Sequence, residues 1–304
     1  MLISRRIIIN FPISGQELYL WRRNAISKAI AAQVPVKEID WLLQQISDLD
    51  SLSLRLESFK NRSVISLSQS IEQLTLLWEK RLTERLPVQY IVGQVPWRNF
   101  QIEVSSGVLI PRPETELIVE IAQKANSFPL EMPSHWVDLG TGSGAIAIGL
   151  ASVFPQATIH AVDCSPLALA IAKNNAIKTK LSKRIQFYQG NWWNPLQHLQ
   201  GKIQGMVSNP PYIPSAELPQ LQPEVFKHEP HLALDGGKDG LDAIRYLVQT
   251  APEYLVSGGI WLIEMMSGQA TAVVEMLSAQ GNYQDIEVIT DLAGIERFIL
   301  AFRR

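Results

Sequence analysis

One stretch of this chain, from His135 to Asp163, restricts the fold more than any other. His135-Trp-Val-Asp-Leu139 is a short apolar run entering Gly140-Thr-Gly-Ser-Gly144, after which Ala145-Ile-Ala-Ile-Gly-Leu-Ala151 reads as a buried helix. Ala157-Thr-Ile-His-Ala-Val-Asp163 follows as a second strand and ends in an acid 25 residues after Asp138. Strand, tight glycine turn, helix and strand in that order begin an α/β fold with a mostly parallel sheet. Glycine permits positive φ and lacks a Cβ, so a ligand can lie close against the turn and the N-terminus of the following helix. The acid closing the second strand is placed to accept hydrogen bonds from both hydroxyls of a ribose.

On this stretch alone a nicotinamide dehydrogenase and an S-adenosylmethionine (SAM) methyltransferase fit about equally. The third glycine, however, arrives one residue too early for the GxGxxG dinucleotide fingerprint. Asn209-Pro-Pro-Tyr212 breaks the tie. It follows the apolar run Ile203-Gln-Gly-Met-Val207 and so sits at the carboxyl end of a strand, where ligands bind in open α/β sheets. The Asn209 amide offers an acceptor oxygen, and Pro210 a carbonyl with no N–H of its own. Two acceptors facing one NH₂ group hold both its protons. The proline pair stiffens the loop, and Tyr212 supplies a flat face for the rest of a substrate. A rigid Pro-Pro turn with a surface tyrosine is the structural alternative, weakened here by the preceding strand and glycine turn. A planar NH₂ on a conjugated group is as far as these residues reach: glutamine, adenine and guanine all satisfy it.

Asn209-Pro-Pro-Tyr-Ile213 behind Gly140-Thr-Gly-Ser-Gly144 resembles the class I SAM-dependent methyltransferases that act on exocyclic or amide nitrogen. Four further segments are similar to the release-factor glutamine N5-methyltransferases, the PrmC or HemK family. They are Pro87-Val-Gln-Tyr-Ile-Val-Gly93, Leu109-Ile-Pro-Arg-Pro-Glu-Thr-Glu116, Glu229-Pro-His-Leu-Ala-Leu-Asp-Gly-Gly237 with Asp239-Gly-Leu241, and Leu292-Ala-Gly-Ile-Glu-Arg297. The resemblance runs from about residue 87 to the C-terminus and more loosely through the segment before it. Asn-Pro-Pro-Tyr alone is shared with methyltransferases of DNA adenine and ribosomal RNA guanine, so the segment from Ile110 to Glu116 is the discriminating one.

This resemblance implies a fold, a cofactor and a substrate. The fold is a Rossmann-like, mostly parallel seven-stranded sheet with an antiparallel last strand, preceded by a small helical domain. The cofactor is SAM, released as S-adenosylhomocysteine, with Gly140, Thr141, Gly142, Ser143 and Gly144 at its methionine part, Asp163 at the ribose, Trp192 against the adenine and Asn209 beside them. The substrate is the glutamine of the Gly-Gly-Gln motif in class 1 peptide chain release factors, with Asn209, Pro210, Pro211 and Tyr212 as the catalytic group. Asn191 stands where the family usually has aspartate, which implies a slightly weaker cofactor contact. Glu264-Met-Met-Ser267 stands where members often have Glu-Ile-Gly or Glu-His-Gly, and the two methionines are expected at the pocket floor. The amide nitrogen is a poor nucleophile and a sulfonium methyl is already activated, so alignment, which contributes up to about 7–11 kcal/mol, is the main requirement.

The rest of the chain fits this expectation. At 304 residues, 46% hydrophobic and 18% charged, it is long enough for two domains with well-formed cores. Three parts are expected: a helical substrate-recognition domain over 1–86, a β-hairpin linker over 87–112 and the methyltransferase domain over 113–304. Ser14-Gly-Gln-Glu17 reads as a capping box opening a helix with Leu18, Trp21, Ala25 and Ala29 on one face. A second helix carries Ile39, Leu42, Leu43 and Ile46, and a third is expected from Ser66-Leu-Ser-Gln69 through Leu82. Through Arg85 the chain holds 12 Lys or Arg against 9 Asp or Glu, a net +3, too weak a footprint for nucleic acid and suited to docking a protein. A base methyltransferase remains the alternative, with no target-recognition insert and no basic aromatic groove in its support.

Pro113 is expected to start a helix from Glu114 to Ala125, with Glu114 and Glu116 either complementing its dipole or, with Arg112, closing over the pocket. Strands are expected near 135–139, 157–163, 184–188, 203–208, 259–264, 284–290 and 296–302, the last two antiparallel because Asp291-Leu-Ala-Gly294 is too short for a helical crossover. Cys164, the single cysteine, excludes an intramolecular disulfide; beside Asp163 it either lines the cofactor edge or, the preferred reading, packs as a small apolar residue, and no metal site is implied. No apolar run reaches the roughly 18 residues of a membrane span, and Met1 to Asn10 carries too short an apolar run for a signal peptide. The expected location is cytoplasmic.

Overall fold

The computed structural model describes residues 11–304; Met1 to Asn10, and with them the expectation about a signal peptide, lie outside the described residues. Two compact units divide at Gly93 and Gln94.

The first unit contains β1 (Phe11–Ile13), α1 (Gly15–Ala31), α2 (Lys37–Ile46), α3 (Ser51–Arg55), β2 (Ile65–Leu67), α4 (Ile71–Thr83) and α5 (Val88–Val92). The capping box is formed: the Ser14 hydroxyl accepts from the Glu17 N–H at 3.2 Å, and the Ser14 N–H donates to Glu17 Oε2 at 3.1 Å. Leu18, Ala25 and Ala29 of α1, Ile39, Leu42, Leu43 and Ile46 of α2, and Leu74 and Trp78 of α4 form one buried core. Two bidentate ion pairs staple its helices, Arg22 to Asp40 at 2.7 and 2.9 Å and Arg81 to Glu38 at 2.6 and 2.9 Å.

The expectation of an all-helical segment is corrected in two places. Phe11 to Ile13 pairs antiparallel with Ile65 to Leu67, and the third helix begins at Ile71, capped by the Ser70 hydroxyl, rather than at Ser66. Buried Ile65 and Leu67 flank Ser66 with the period of a strand, and that alternation prevails over the cap-like Ser66-Leu-Ser-Gln69.

The second unit opens with a hairpin of β3 (Gln94–Trp97) and β4 (Phe100–Glu103), paired antiparallel from Gln94 opposite Glu103 to Trp97 opposite Phe100. Segment 87–112 is therefore divided, its helical turn α5 lying in the first unit and its hairpin in the second. Trp97 packs so tightly on the following layer that a Cβ at Gly149 would stand 3.1 Å from its ring. The unit continues through α6 (Leu117–Ala125), β5 (Ser134–Leu139), α7 (Ala145–Val153), β6 (Ala157–Asp163), α8 (Pro166–Lys178), β7 (Ile185–Gln189), β8 (Ile203–Ser208), α9 (Pro223–His228), α10 (Asp242–Thr250), β9 (Leu255–Glu264), α11 (Ala270–Gln280), β10 (Tyr283–Thr290) and β11 (Glu296–Arg303). Glu114 to Glu116 forms a single 3-10 turn ahead of α6.

The seven-stranded sheet has the order β10-β11-β9-β8-β5-β6-β7, parallel except for β11, which runs antiparallel to both its neighbours. Residues 145–151 of α7 are all buried, as an apolar helix without a polar face must be. From β5 the chain moves outward through β6 and β7, then returns to lay β8 on the other side of β5. At such a reversal the loops leaving adjacent strands part and open a crevice at the carboxyl ends. Leu139 pairs with both Val162 and Ser208, so register alone brings the turn after β5, the acid ending β6 and the motif after β8 together.

Candidate active site

A cavity of about 470 Å³ lies over this crevice, within the roughly 300–1,000 Å³ usual for small-molecule sites. Gly140, Gly142, Asp163, Trp192, Asn209 and Pro211 line it. Thr141, Ser143, Gly144, Pro210 and Tyr212 are not among the lining residues and adjoin those that are.

The turn from Gly140 to Gly144 is built for close approach. Gly140, Gly142 and Gly144 all have positive φ. The N–H groups of Gly140 and Thr141 both donate to Val162 O at 2.9 Å, folding the turn onto the end of β6. At Gly142 the N–H donates to Asp163 Oδ2 at 2.8 Å, and the Ser165 N–H donates to Oδ1 at 2.9 Å. Each carboxylate oxygen keeps a second lone pair for a ligand hydroxyl. Burial pushes the Asp163 carboxyl above its ordinary range, against the pull of those two N–H donors.

Asp138 lies beneath the turn, fully buried. Its Oδ2 accepts from the Thr141 hydroxyl at 2.6 Å and the Ala147 N–H at 3.0 Å, while Oδ1 has no hydrogen-bond partner among the described residues. Burial raises its carboxyl to about 7, partly opposed by those hydrogen bonds and assisted by the nearby Asp163. An unmet buried acceptor of this kind suits a cation. Trp192 takes φ of +51°, a conformation costly for a bulky residue, and its ring edge stands 3.6 Å from where a Gly140 Cβ would be.

Behind the far wall, side chains fix the Asn209 motif. The Asn209 Nδ2 donates to Thr115 Oγ1 at 3.3 Å, Thr115 Oγ1 donates to Glu264 Oε2 at 2.7 Å, and the Tyr212 hydroxyl donates to Glu264 Oε1 at 3.1 Å. Ser208 pairs with Ile263, so the residues following them in the parallel strands, Asn209 and Glu264, are brought side by side. Glu264 is 1% exposed, and burial raises its carboxyl, offset in part by Thr115 and Tyr212. Burial and the Glu264 charge in turn push the Tyr212 hydroxyl up, so it stays a donor. Gln269 Nε2 donates to Tyr212 O at 2.9 Å and fixes the motif's backbone.

The loop over the cavity is fastened as well. Arg112 donates to Glu229 Oε1 at 2.7 Å and the Ile110 N–H to Oε2 at 3.3 Å, joining the segment that carries Gly107, Val108 and Leu109 to the one that carries Pro230, Leu232 and Ala233. The side chain of Glu229 is 1% exposed, and burial raises its carboxyl although Arg112 draws it down.

Several of these residues escape sequence reasoning. In the segment 110–116, Thr115 and Arg112 make the contacts with Glu264 and Glu229, while Glu114 and Glu116 do not line the cavity. Glu264 carried one legible signal, an acid closing the apolar run Ile260-Trp-Leu-Ile263 with no basic neighbour in sequence. Of the two readings of Cys164 the structure takes the cavity edge, with the residue half-buried at the rim. One expectation is corrected. Met265 and Met266 do not form the pocket floor: Met265 is wholly buried in the core on the opposite side of β9 from Glu264, and neither lines the cavity. Asn191 does line it, exposed beside Trp192. Among the described residues no cluster of three or more His, Cys, Asp or Glu could hold a metal, and no helix is long and apolar enough to cross a membrane.

Comparison with known proteins places this geometry among methyltransferases. Residues 115–238 match the model of the methyltransferase small domain. A release factor glutamine methyltransferase of Synechocystis sp. is 56% identical over 95% of this chain and 97% of its own. One from Thermosynechococcus vestitus is 45% identical over 95% and 99%, and one from Bradyrhizobium diazoefficiens is 36% identical over 96% and 97%. Among solved structures, the hMettl16 catalytic domain in complex with MAT2A 3'UTR hairpin 6 superposes with a TM-score of 0.56 over 86% of this chain and 88% of that one. At 13% identity it shares the fold alone.

Proposed function

The chain belongs to the release factor glutamine methyltransferases, and from that premise we propose that it transfers the methyl group of SAM to N5 of the glutamine in the Gly-Gly-Gln motif of class 1 peptide chain release factors. The observation that carries the reading is the placement of Asn209. It stands at the carboxyl end of β8 on the wall of a cavity floored by the glycine turn, with its amide N–H already engaged and its oxygen left over.

The residues fit SAM. Asp163 keeps lone pairs for the ribose hydroxyls, Gly140 and Gly142 leave the turn open to a close ligand, Trp192 offers a flat face, and Asp138, buried beneath the turn with Oδ1 unmet, sets a negative field under it. When bound, SAM supplies a methyl group activated by its sulfonium. This chain's own residues hold and orient the nitrogen. Asn209 Oδ1 and the Pro210 carbonyl would accept the two N–H bonds of the substrate amide, which aligns the nitrogen and stabilises the positive charge that develops as the N–C bond forms and the methyl–sulfur bond breaks to leave the neutral thioether; one of the two N–H protons then departs to solvent, leaving the neutral N-methyl amide. Pro211 and Tyr212 keep that pair rigid, Tyr212 through its bonds to Glu264 and Gln269. The strap from Arg112 to Glu229 closes the cavity wall and limits the entry of water. The helical unit at residues 11–93 is assigned to recognition of the release factor, and the reaction to the cytoplasm, where release factors work.

The test is transfer of radiolabelled methyl from SAM to purified release factor, beside unmethylated DNA and ribosomal RNA. Label in the intact factor and none in a variant with the motif glutamine changed to alanine is the expected result. Label confined to nucleic acid would overturn the reading.

A further inference from the structure

A carboxamide has two ends of nearly equal shape, and only one can serve the reading above. If Asn209 turned its NH₂ toward the substrate amide, two donors would face each other and the nitrogen would be repelled. The local hydrogen bonds choose the orientation. Thr115 Oγ1 lies 3.3 Å from Asn209 Nδ2 and 2.7 Å from Glu264 Oε2. A hydroxyl has one proton, and a carboxylate can only accept. Once Glu264 takes that proton, Thr115 faces Asn209 with lone pairs alone. Asn209 must then present its N–H to Thr115, and its oxygen is left to whatever enters the cavity it lines.

The relay is shielded. Thr115 is 4% exposed and Glu264 1%, so water does not readily substitute for either partner. It is also locked at its far end, because Tyr212 donates to the other Glu264 oxygen and leaves neither oxygen free to turn. Helix capping does not account for it: Thr115 lies inside the 3-10 turn Glu114–Glu116, where no side-chain cap bond is formed.

We propose that Thr115, held by Glu264, is a positioning residue for methyl transfer, setting the Asn209 amide with its oxygen toward the substrate nitrogen. This rests on the reading that Asn209 accepts an N–H of that nitrogen, and the experiment separates the two. Thr115→Val removes the hydroxyl at nearly constant volume, and Thr115→Ser keeps it.

Steady-state methylation of the release factor and calorimetric binding of SAM are measured for both variants, for Glu264→Gln, for Asn209→Ala, and for the double variant Asn209→Ala with Thr115→Val. Losing one orienting hydrogen bond is expected to lower kcat of Thr115→Val about 10- to 100-fold, with SAM affinity within about twofold and KM for the release factor within about threefold of the parent. Thr115→Ser is expected to recover to within about threefold of the parent. Glu264→Gln offers an N–H to one of the two hydroxyls and scrambles the proton order, so its kcat falls with SAM affinity unchanged. Because Thr115 acts only through Asn209, the double variant is expected to be no slower than Asn209→Ala alone.

Should Thr115→Val fold poorly by near-ultraviolet circular dichroism, Thr115→Ala carries the same comparison. Parental kcat in the hydroxyl-free variant while Asn209→Ala is crippled overturns the relay and leaves Asn209 in place. Parental kcat in Glu264→Gln removes Glu264 from it. Parental kcat in Asn209→Ala overturns the underlying reading instead.

Discussion

Asp138 allows a quantitative test of how the cofactor is held. Its carboxyl is fully buried, raised to about 7, and carries an oxygen with no partner. Positive charge held over the turn above it favours the ionised form through space, so SAM binding is expected to expel a proton wherever Asp138 is still protonated. Affinity therefore rises with pH up to about 7. With that value the carboxyl is roughly 0.09 ionised at pH 6 and half ionised at pH 7, so the dissociation constant should tighten about fivefold between them. Calorimetric titrations in two buffers of different ionisation enthalpy should find about 0.9 proton released per SAM at pH 6. Asp138→Asn should bind more weakly at pH 7 and lose this slope, which also controls for the titration of SAM itself. The reasoning fails if wild-type affinity is flat from pH 6 to 7 without proton release, or if the slope survives in the asparagine variant. The same raised carboxyl binds more protons folded than unfolded between about pH 4 and 7, so its contribution to stability of the cofactor-free protein is lost as pH rises through 7.

Three further outcomes are expected. Asn209→Ala should lower turnover by about 10²–10³-fold, the usual cost of removing one group that meets developing charge, with SAM affinity within about twofold by calorimetry; equal losses in both would make Asn209 a cofactor residue. Arg112→Ala leaves Glu229 buried without its counter-charge and should cost about 3 kcal/mol in urea unfolding, whereas a loss below about 0.5 kcal/mol would make the strap a surface pair. His160 lies between His135, whose ring nitrogen is 3.0 Å away, and the Tyr188 hydroxyl at 3.2 Å, and burial with the nearby His135 and His198 holds it down to about 4. A histidine that protonates more readily unfolded than folded loses stability as pH falls from about 6.5 to 4. Thermal melts at pH 7 and 5 should show a fall of several degrees that shrinks in His160→Gln; an equal fall in both would assign it to other groups.

What could be read from the sequence follows the range of the interaction concerned. Strand β6 ends at Asp163 and β8 at Ser208 just where apolar alternation and the turn residues place them, because those signals are local. Gly140 to Gly144 was legible for the same reason, since positive φ at three glycines is a demand of the turn itself. The pairing of Phe11 with Leu67 was not: each strand is three residues long, too short to show a period, and its partner lies across four helical segments. Thr115 escaped because its meaning depends on Glu264, 149 residues away, and a threonine between two glutamates reads as part of a helix start. Met265 misled because it follows Glu264 in sequence, yet just past the end of β9 it joins the buried core that holds Trp261 and Ile263.

Strand β11 carries a consequence about time. It is last in chain order yet lies inside the sheet, with β9 on one side and β10 on the other. Until Glu296 to Arg303 has been made, β9 lacks one of its neighbours and β10 has none, so most of the chain can emerge with its sheet still open in the middle. The residue opposite Phe298 across that gap is Glu264, which means the acid behind Asn209 is seated only by the final insertion. A chain cut short before residue 296 would keep the glycine turn and the Asn209 motif and lack the strand that completes the sheet behind them. Insertion of β11 and completion of the wall behind Asn209 are thus a single event.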